Sequence, residues 1–234
     1  MSELFLIRHG QASFGAKNYD KLSEKGVAQS KILGQHFSAM EVTFDAIYCG
    51  QMERQKNTAK AVIDVYKSKE TPIPGPYIDA AFNEYDSKAI WDAQTKMMLK
   101  DDPKLLDAMN MDNKKAFQKI FSKVVERWIS GEFNTKGVMP WRHFKKQVTH
   151  GLETIVQKWC SSKKIAIFSS AGAICAAIQK VLTLSDAKTI DLSWQVMNTS
   201  VTRMTYNSKK ISLSGFNNIT HLELTGDKSL LTYR

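Results

Sequence analysis

The chain has 234 residues, 43% of them hydrophobic and 10% aromatic, with 33 Lys and Arg against 23 Asp and Glu for a formal charge of +10. That apolar content suits a globular chain that buries a sizeable core and argues against a disordered one. No segment approaches the ~18 consecutive apolar residues of a membrane helix, and the N-terminus lacks the pattern of a signal peptide, so a cytoplasmic location is expected.

Leu4-Phe5-Leu6-Ile7 is an unbroken apolar run. It reads as a strand buried on both faces of a parallel sheet. The run ends in Arg8-His9-Gly10. Ligands of open α/β sheets sit beyond the carboxyl ends of strands, so a cation and an imidazole stand where a ligand would. Gly10 is expected to let the backbone turn sharply and approach that ligand.

A polar loop, residues 11–22, leads to Ser23, which reads as a helix N-cap with Glu24 in the first turn. Ala28, Ile32, Leu33, Phe37 and Met40 fall at helical spacing and are expected to face the sheet. A second strand over 44–48 breaks at Cys49-Gly50, and a helix is expected from about residue 51 to 67. Arg54 falls in its first turn. Helix N-termini attract anions, and the guanidinium fork matches phosphate oxygens.

The stretch Tyr77-Ile78-Asp79-Ala80-Ala81-Phe82 leads to Glu84, with Asp86 two residues on. From 86 to about 140 the chain turns rich in Lys, Asp, Met and Gln at helical spacing, including Met97, Met98, Met109 and Met111. The Met and aromatic stripe there reads as packing. A further helix is expected over 141–160, then a strand over 163–169 and a helix over 173–184. The turn between the last two, Ser169-Ser170-Ala171-Gly172, places another helix start at a strand's carboxyl end. The remainder, through His221-Leu222-Glu223-Leu224, reads as edge strands.

Arg8-His9-Gly10, followed by Arg54 with Thr58-Ala59 four residues on, resembles the histidine phosphatase superfamily, the phosphoglycerate-mutase-like proteins. The resemblance covers roughly 3–85 and 140–224. It implies an α/β fold of three layers, a mostly parallel sheet flanked by helices. It also implies a single domain over 1–234, with 86–140 as a helical insertion over the site. It implies a phosphatase acting on a small phosphorylated molecule or binding inorganic phosphate. His9 would be the nucleophile, Arg8 and Arg54 the phosphate clamp, and Glu84 the proton donor, with Asp86 as the alternative donor. The family's second histidine falls on Ser170 and the following glycine on Ala171. That departure implies a slow enzyme, or a phosphate-binding chain without turnover; a mutase is the third reading. Restoring the histidine by Ser170→His is expected to raise turnover.

The other histidines read as structural. His143 and His150 share a helix face but not the four-residue spacing of a metal site, and His36 and His221 lie outside the motifs. Cys49, Cys160 and Cys175 are odd in number and widely spaced, as for buried free thiols rather than a disulfide framework or zinc site. No dinucleotide fingerprint or phosphate loop of nucleotide-binding enzymes occurs, so no cofactor and no metal is expected. The lysines come in separate pairs such as Lys145-Lys146 and Lys163-Lys164, a solvated basic surface rather than a nucleic-acid footprint.

Overall fold

The computed structural model describes residues 1–13, 19–103 and 114–233, the side chains of 114–116 excepted. Strands β1 (Ser2–Arg8), β2 (Ala46–Cys49), β3 (Pro76–Ile78) and β4 (Lys164–Ser169) run parallel. β5 (Val201–Tyr206) and β6 (Ile211–Asn218) close the sheet antiparallel. The order is β3-β2-β4-β1-β5-β6.

The register sets up the site. Arg8 pairs with Ser169, and Cys49 with Phe168, so three carboxyl ends reach one edge together. His9 and Ser170 leave neighbouring strands side by side, and the His9 amide still donates to the Ser169 carbonyl at 2.9 Å.

Strand alternation sends Phe5, Ile7, Ile47, Cys49, Ala166 and Phe168 to one face. There they meet Leu33 and Phe37 of α1 (Glu24–Ala39) and Ala59, Val62, Ile63 and Tyr66 of α2 (Glu53–Ser68). Leu4, Leu6, Ile165 and Ile167 point the other way and are equally buried.

α1 begins as expected, with Ser23 accepting from the Gly26 amide, but its buried face is rotated. Gly26, Gln29, Ser30, Leu33, Gly34 and Phe37 are buried, and Met40 is 59% exposed. Close backbone approach explains this. A Cβ on Gly34 would meet Val62 Cα at 3.0 Å, and one on Gly26 would meet the Gln11 carbonyl at 2.1 Å. Small and hydrogen-bonding residues therefore line a face where larger ones were expected.

The chain divides into two compact units, residues 1–84 with 148–234, and residues 85–147. The first holds the sheet. The second holds α3 (Ser87–Asp101), α4 (Lys114–Ser130) and the start of α5 (Trp141–Lys158). Its aromatic residues pack on one another: Trp128 lies 4.9 Å from Tyr85 and 5.3 Å from Trp141, ring centroid to centroid. Met98 is buried; Met109 and Met111 lie outside the described residues.

Other expectations change. The helix after β4, α6 (Ala171–Leu182), starts two residues early and makes Ser170 its N-cap. After it comes α7 (Asp186–Ser193). Residues 221–224 are not a strand: α8 (Thr220–Glu223) occupies that stretch, and buried His221 meets Thr199 Oγ1 through Nε2 at 3.0 Å. Cys49 and Cys175 are buried thiols, whereas Cys160 is exposed in the turn after α5. Among the described residues no helix is long and apolar enough to cross a membrane.

Candidate active site

His9 lies just past β1, buried, in a single tautomer. Its Nδ1 is 2.7 Å from the Gly10 carbonyl, which can only accept, so Nδ1 carries the proton. Its Nε2 is 3.1 Å from Nε of Arg54, which can only donate, so Nε2 presents a lone pair. Burial, then the charges of Arg54 and Arg8, hold the imidazole pKa well below its ordinary value. The ring is neutral at physiological pH.

The backbone around it is fixed by neighbours. The Gly10 amide donates to Thr58 Oγ1 at 3.0 Å, and Thr58 in turn donates to the Arg54 carbonyl. The His9 carbonyl accepts from Asn198 Nδ2 at 3.1 Å and from the Thr199 amide. Gly10 also serves the packing of this loop against α1. A Cβ there would meet the Gly26 carbonyl at 2.4 Å, so its lack of a side chain lets α1 close on the loop.

Arg54 projects from the first turn of α2 and is buried. Besides His9 it holds Asp20, Nη1 to Oδ1 at 2.7 Å, and it lies 5.6 Å from the Tyr19 ring. Asp20 Oδ2 also accepts the Glu53 amide at 2.7 Å, so a carboxylate sits on the N-terminus of α2. Arg8 donates through Nη1 to the Val196 carbonyl, and its buried Nε has no partner among the described residues. Burial draws the Arg8 guanidinium pKa down to about 10, opposed by the Glu84 carboxylate and assisted by the like charge of Arg54.

Glu84 follows a turn at Ala80–Phe82, and its Oε2 accepts the Gly172 amide at 3.0 Å in the first turn of α6. Asp86 is engaged elsewhere, as the N-cap of α3, accepting from the Ala89 amide. Ser170 is buried, and its Oγ meets Gln55 Nε2 at 2.9 Å. The structure thus gathers Arg8, His9, Arg54, Glu84 and Ser170 at the carboxyl ends of β1 and β4 and the starts of α2 and α6. Two guanidinium groups, two helix N-termini and a neutral imidazole thus meet at one edge of the sheet, groups of the kind that attract anions.

The sequence profile of the Histidine phosphatase superfamily (branch 1) matches residues 4–219. The chain belongs to that superfamily. Solved structures of the same fold include a mutant phosphoserine phosphatase from Entamoeba histolytica in complex with phosphoserine, with a TM-score of 0.65 and 18% identity over 95% of this chain and 100% of that one. A phosphoglycerate mutase from Bacillus anthracis gives 0.66 and 16% over 97% of each chain. An alpha-ribazole phosphatase from Shigella flexneri gives 0.62 and 19% over 92% and 96%. No curated protein matches the sequence significantly.

Within this histidine phosphatase chain, three participants escape a reading of motifs. Asp20 lies in a polar loop with nothing in its spacing to mark its return to α2. Asn198 lies in a stretch read as structural. Gln55 had a signal, since it stands on a helix face otherwise occupied by Thr58, Ala59 and Val62. His143 and His150 are exposed on α5, and the described residues contain no group of three or more His, Cys, Asp or Glu placed to hold a metal ion.

Proposed function

We propose that the chain is a phosphatase that hydrolyses a small phosphorylated molecule through a phosphohistidine on His9. The observation that carries this reading is the tautomer: protonated Nδ1 donates to the Gly10 carbonyl and Nε2 is left with a lone pair facing Arg54. Nucleophilic attack needs that state of the ring. An arriving phosphoryl group would draw Arg54 from His9 to its own oxygens, uncovering Nε2 as it binds. Arg8, short of partners and desolvated, gains most from the same anion.

In the first step Nε2 bonds to phosphorus, the ester P–O bond breaks, and the leaving oxygen takes a proton from Glu84. In the second, water attacks phosphorus, yields its proton to Glu84, and the P–N bond breaks. His9, the Arg8–Arg54 pair and Glu84 thus supply nucleophile, oxygen clamp and proton carrier. The Entamoeba histolytica phosphatase in complex with phosphoserine supports a small phosphorylated acid as the substrate class.

Ser170, in place of the family's second histidine, favours one competing reading: a phosphate-binding protein without turnover. A serine hydroxyl can donate one hydrogen bond to a phosphate oxygen but brings no positive charge to it. Loss of such a stabiliser costs on the order of 10²–10³ in rate. One experiment separates the readings. The protein is incubated with an aryl phosphate and with phosphorus-labelled substrate, with and without His9→Ala. Turnover and an acid-labile label that both vanish with His9 support the enzyme. Phosphate binding without either supports the binder.

A further inference from the structure

Gln55 is 0% exposed, and its amide orientation is settled by groups that can play only one part. The Met52 amide can only donate, and it faces Oε1 at 3.3 Å. The Phe82 carbonyl can only accept, and it faces Nε2 at 3.0 Å. The two protons of Nε2 are therefore directed at Phe82 O and at Ser170 Oγ, 2.9 Å away. Ser170 must be the acceptor in that pair, and its own proton has to donate elsewhere.

The obvious alternative acceptor is already filled. Phe82 O takes the Ser169 hydroxyl at 2.7 Å as well as the Gln55 amide, which uses both of its lone pairs. Nor does Ser170 cap α6 through its side chain. The register of β1 and β4 puts Ser170 beside His9. Space for this arrangement is built in: a Cβ on Gly50 would meet Gln55 Oε1 at 2.0 Å, so glycine there is what admits the glutamine.

We infer that Gln55 is a positioning residue that aims the Ser170 hydroxyl proton at an anion held against His9. The inference rests on the phosphate site proposed above. By filling one lone pair of Ser170 and closing off Phe82, Gln55 converts a freely rotating hydroxyl into a directed donor. The Gln55–Ser170 pair supplies from two neutral side chains the contact that the family's second histidine makes alone.

The test is a double-mutant cycle on the full chain. Inorganic phosphate affinity by calorimetry, and kcat/KM with an aryl phosphate, are measured for wild type, Gln55→Met, Ser170→Ala and the double variant. A hydroxyl bonded to an anion predicts that Ser170→Ala weakens phosphate roughly ten- to a hundredfold. Gln55→Met should lose a severalfold part of that, and lose nothing further once Ser170 is alanine. Should Gln55→Met not fold, Gln55→Glu serves. Its carboxylate accepts from Ser170 and turns the proton away, and the cycle subtracts whatever the new charge does directly. Equal losses with and without the Ser170 hydroxyl would mean that Gln55 only holds α2, and the inference fails. It fails too if Ser170→Ala leaves phosphate affinity unchanged. If wild type binds phosphate yet neither turns over nor labels, the phosphatase reading falls while the affinity cycle still decides the role of Gln55.

Discussion

Asp20 Oδ1 stands 2.7 Å from Arg54 Nη1 while its Oδ2 takes the Glu53 amide at the same distance. A carboxylate thus occupies the outer edge of the guanidinium and the positive end of α2, two groups that also attract phosphate. In the proposed phosphatase site Asp20 would be a tethered competitor that an arriving phosphoryl group has to displace. Asp20→Asn should therefore tighten inorganic phosphate by about two- to tenfold, near the low end because the Asp20 side chain is 37% exposed and screened. The same change should lower folding stability by about 1 kcal/mol, since α2 loses a charged cap. Competitive inhibition by phosphate and urea denaturation read the two effects. Weaker phosphate binding in the variant would show instead that Asp20 holds Arg54 in its working position.

Acid should destabilise the protein through its neutral histidines. Burial holds His221 down to about 3, with the nearby His36 adding a smaller effect, and burial with two arginines lowers His9. In the unfolded chain both titrate near 6.5. Below that pH the unfolded state binds protons that the folded state refuses, so stability present above about pH 6.5 is lost as pH falls toward the folded values. Each such histidine contributes a slope of up to about 1.4 kcal/mol per pH unit. His221→Gln keeps a polar partner for Thr199 and should reduce the slope measured by denaturation between about pH 6 and pH 4 by roughly that amount. An unchanged slope would place the acid sensitivity elsewhere.

The sheet and the principal cluster were legible because their signals are local. An apolar run ending in Arg8-His9-Gly10 marks both a buried strand and what lies at its tip, and Arg54 sits in the first turn of a helix whose period is plain. The partners of that cluster were not legible, because each depends on a return of the chain. Asp20 reaches α2 across a loop, and Asn198 and Thr199, far along the sequence, hold the His9 carbonyl. The face of α1 was misread for a related reason. Its burial is decided by how closely Gly26 and Gly34 let other backbone approach, which hydrophobic periodicity does not register. Residues 221–224 alternate like a strand, yet His221 finds Thr199 from a short helix.

The Gln55–Ser170 contact alters what restoring the family's histidine should do. An imidazole at position 170 would need the volume beyond Oγ, where the Gln55 amide lies 2.9 Å away. Ser170→His alone should therefore fail to raise turnover, and overpacking should cost about 1–3 kcal/mol of stability. Ser170→His with Gln55→Ala removes the obstruction and should exceed the rate of wild type with an aryl phosphate. Steady-state kinetics on the two variants decide this. A faster single variant would show that the imidazole finds room without displacing the glutamine.

If Arg8 clamps the phosphoryl group as proposed, it ties stability to ligand. Burial draws its guanidinium pKa to about 10, and its buried Nε has no partner among the described residues. A charge held this way costs the free protein stability and returns it when an anion arrives. Phosphate at about 100 times its Kd should stabilise wild type by about 2.7 kcal/mol. Arg8→Met keeps the length of the side chain and removes the charge, at the expense of one donor to the Val196 carbonyl. Without phosphate the variant should lie within about 1 kcal/mol of wild type, the relief of desolvation offsetting the lost hydrogen bond. With phosphate in excess the gap should widen by about 2 kcal/mol in favour of wild type, because the variant has lost one arm of the clamp. Chemical denaturation with and without phosphate measures both gaps. A phosphate-induced gain that survives Arg8→Met undiminished would remove Arg8 from the anion site and leave Arg54 and the helix N-termini to hold it.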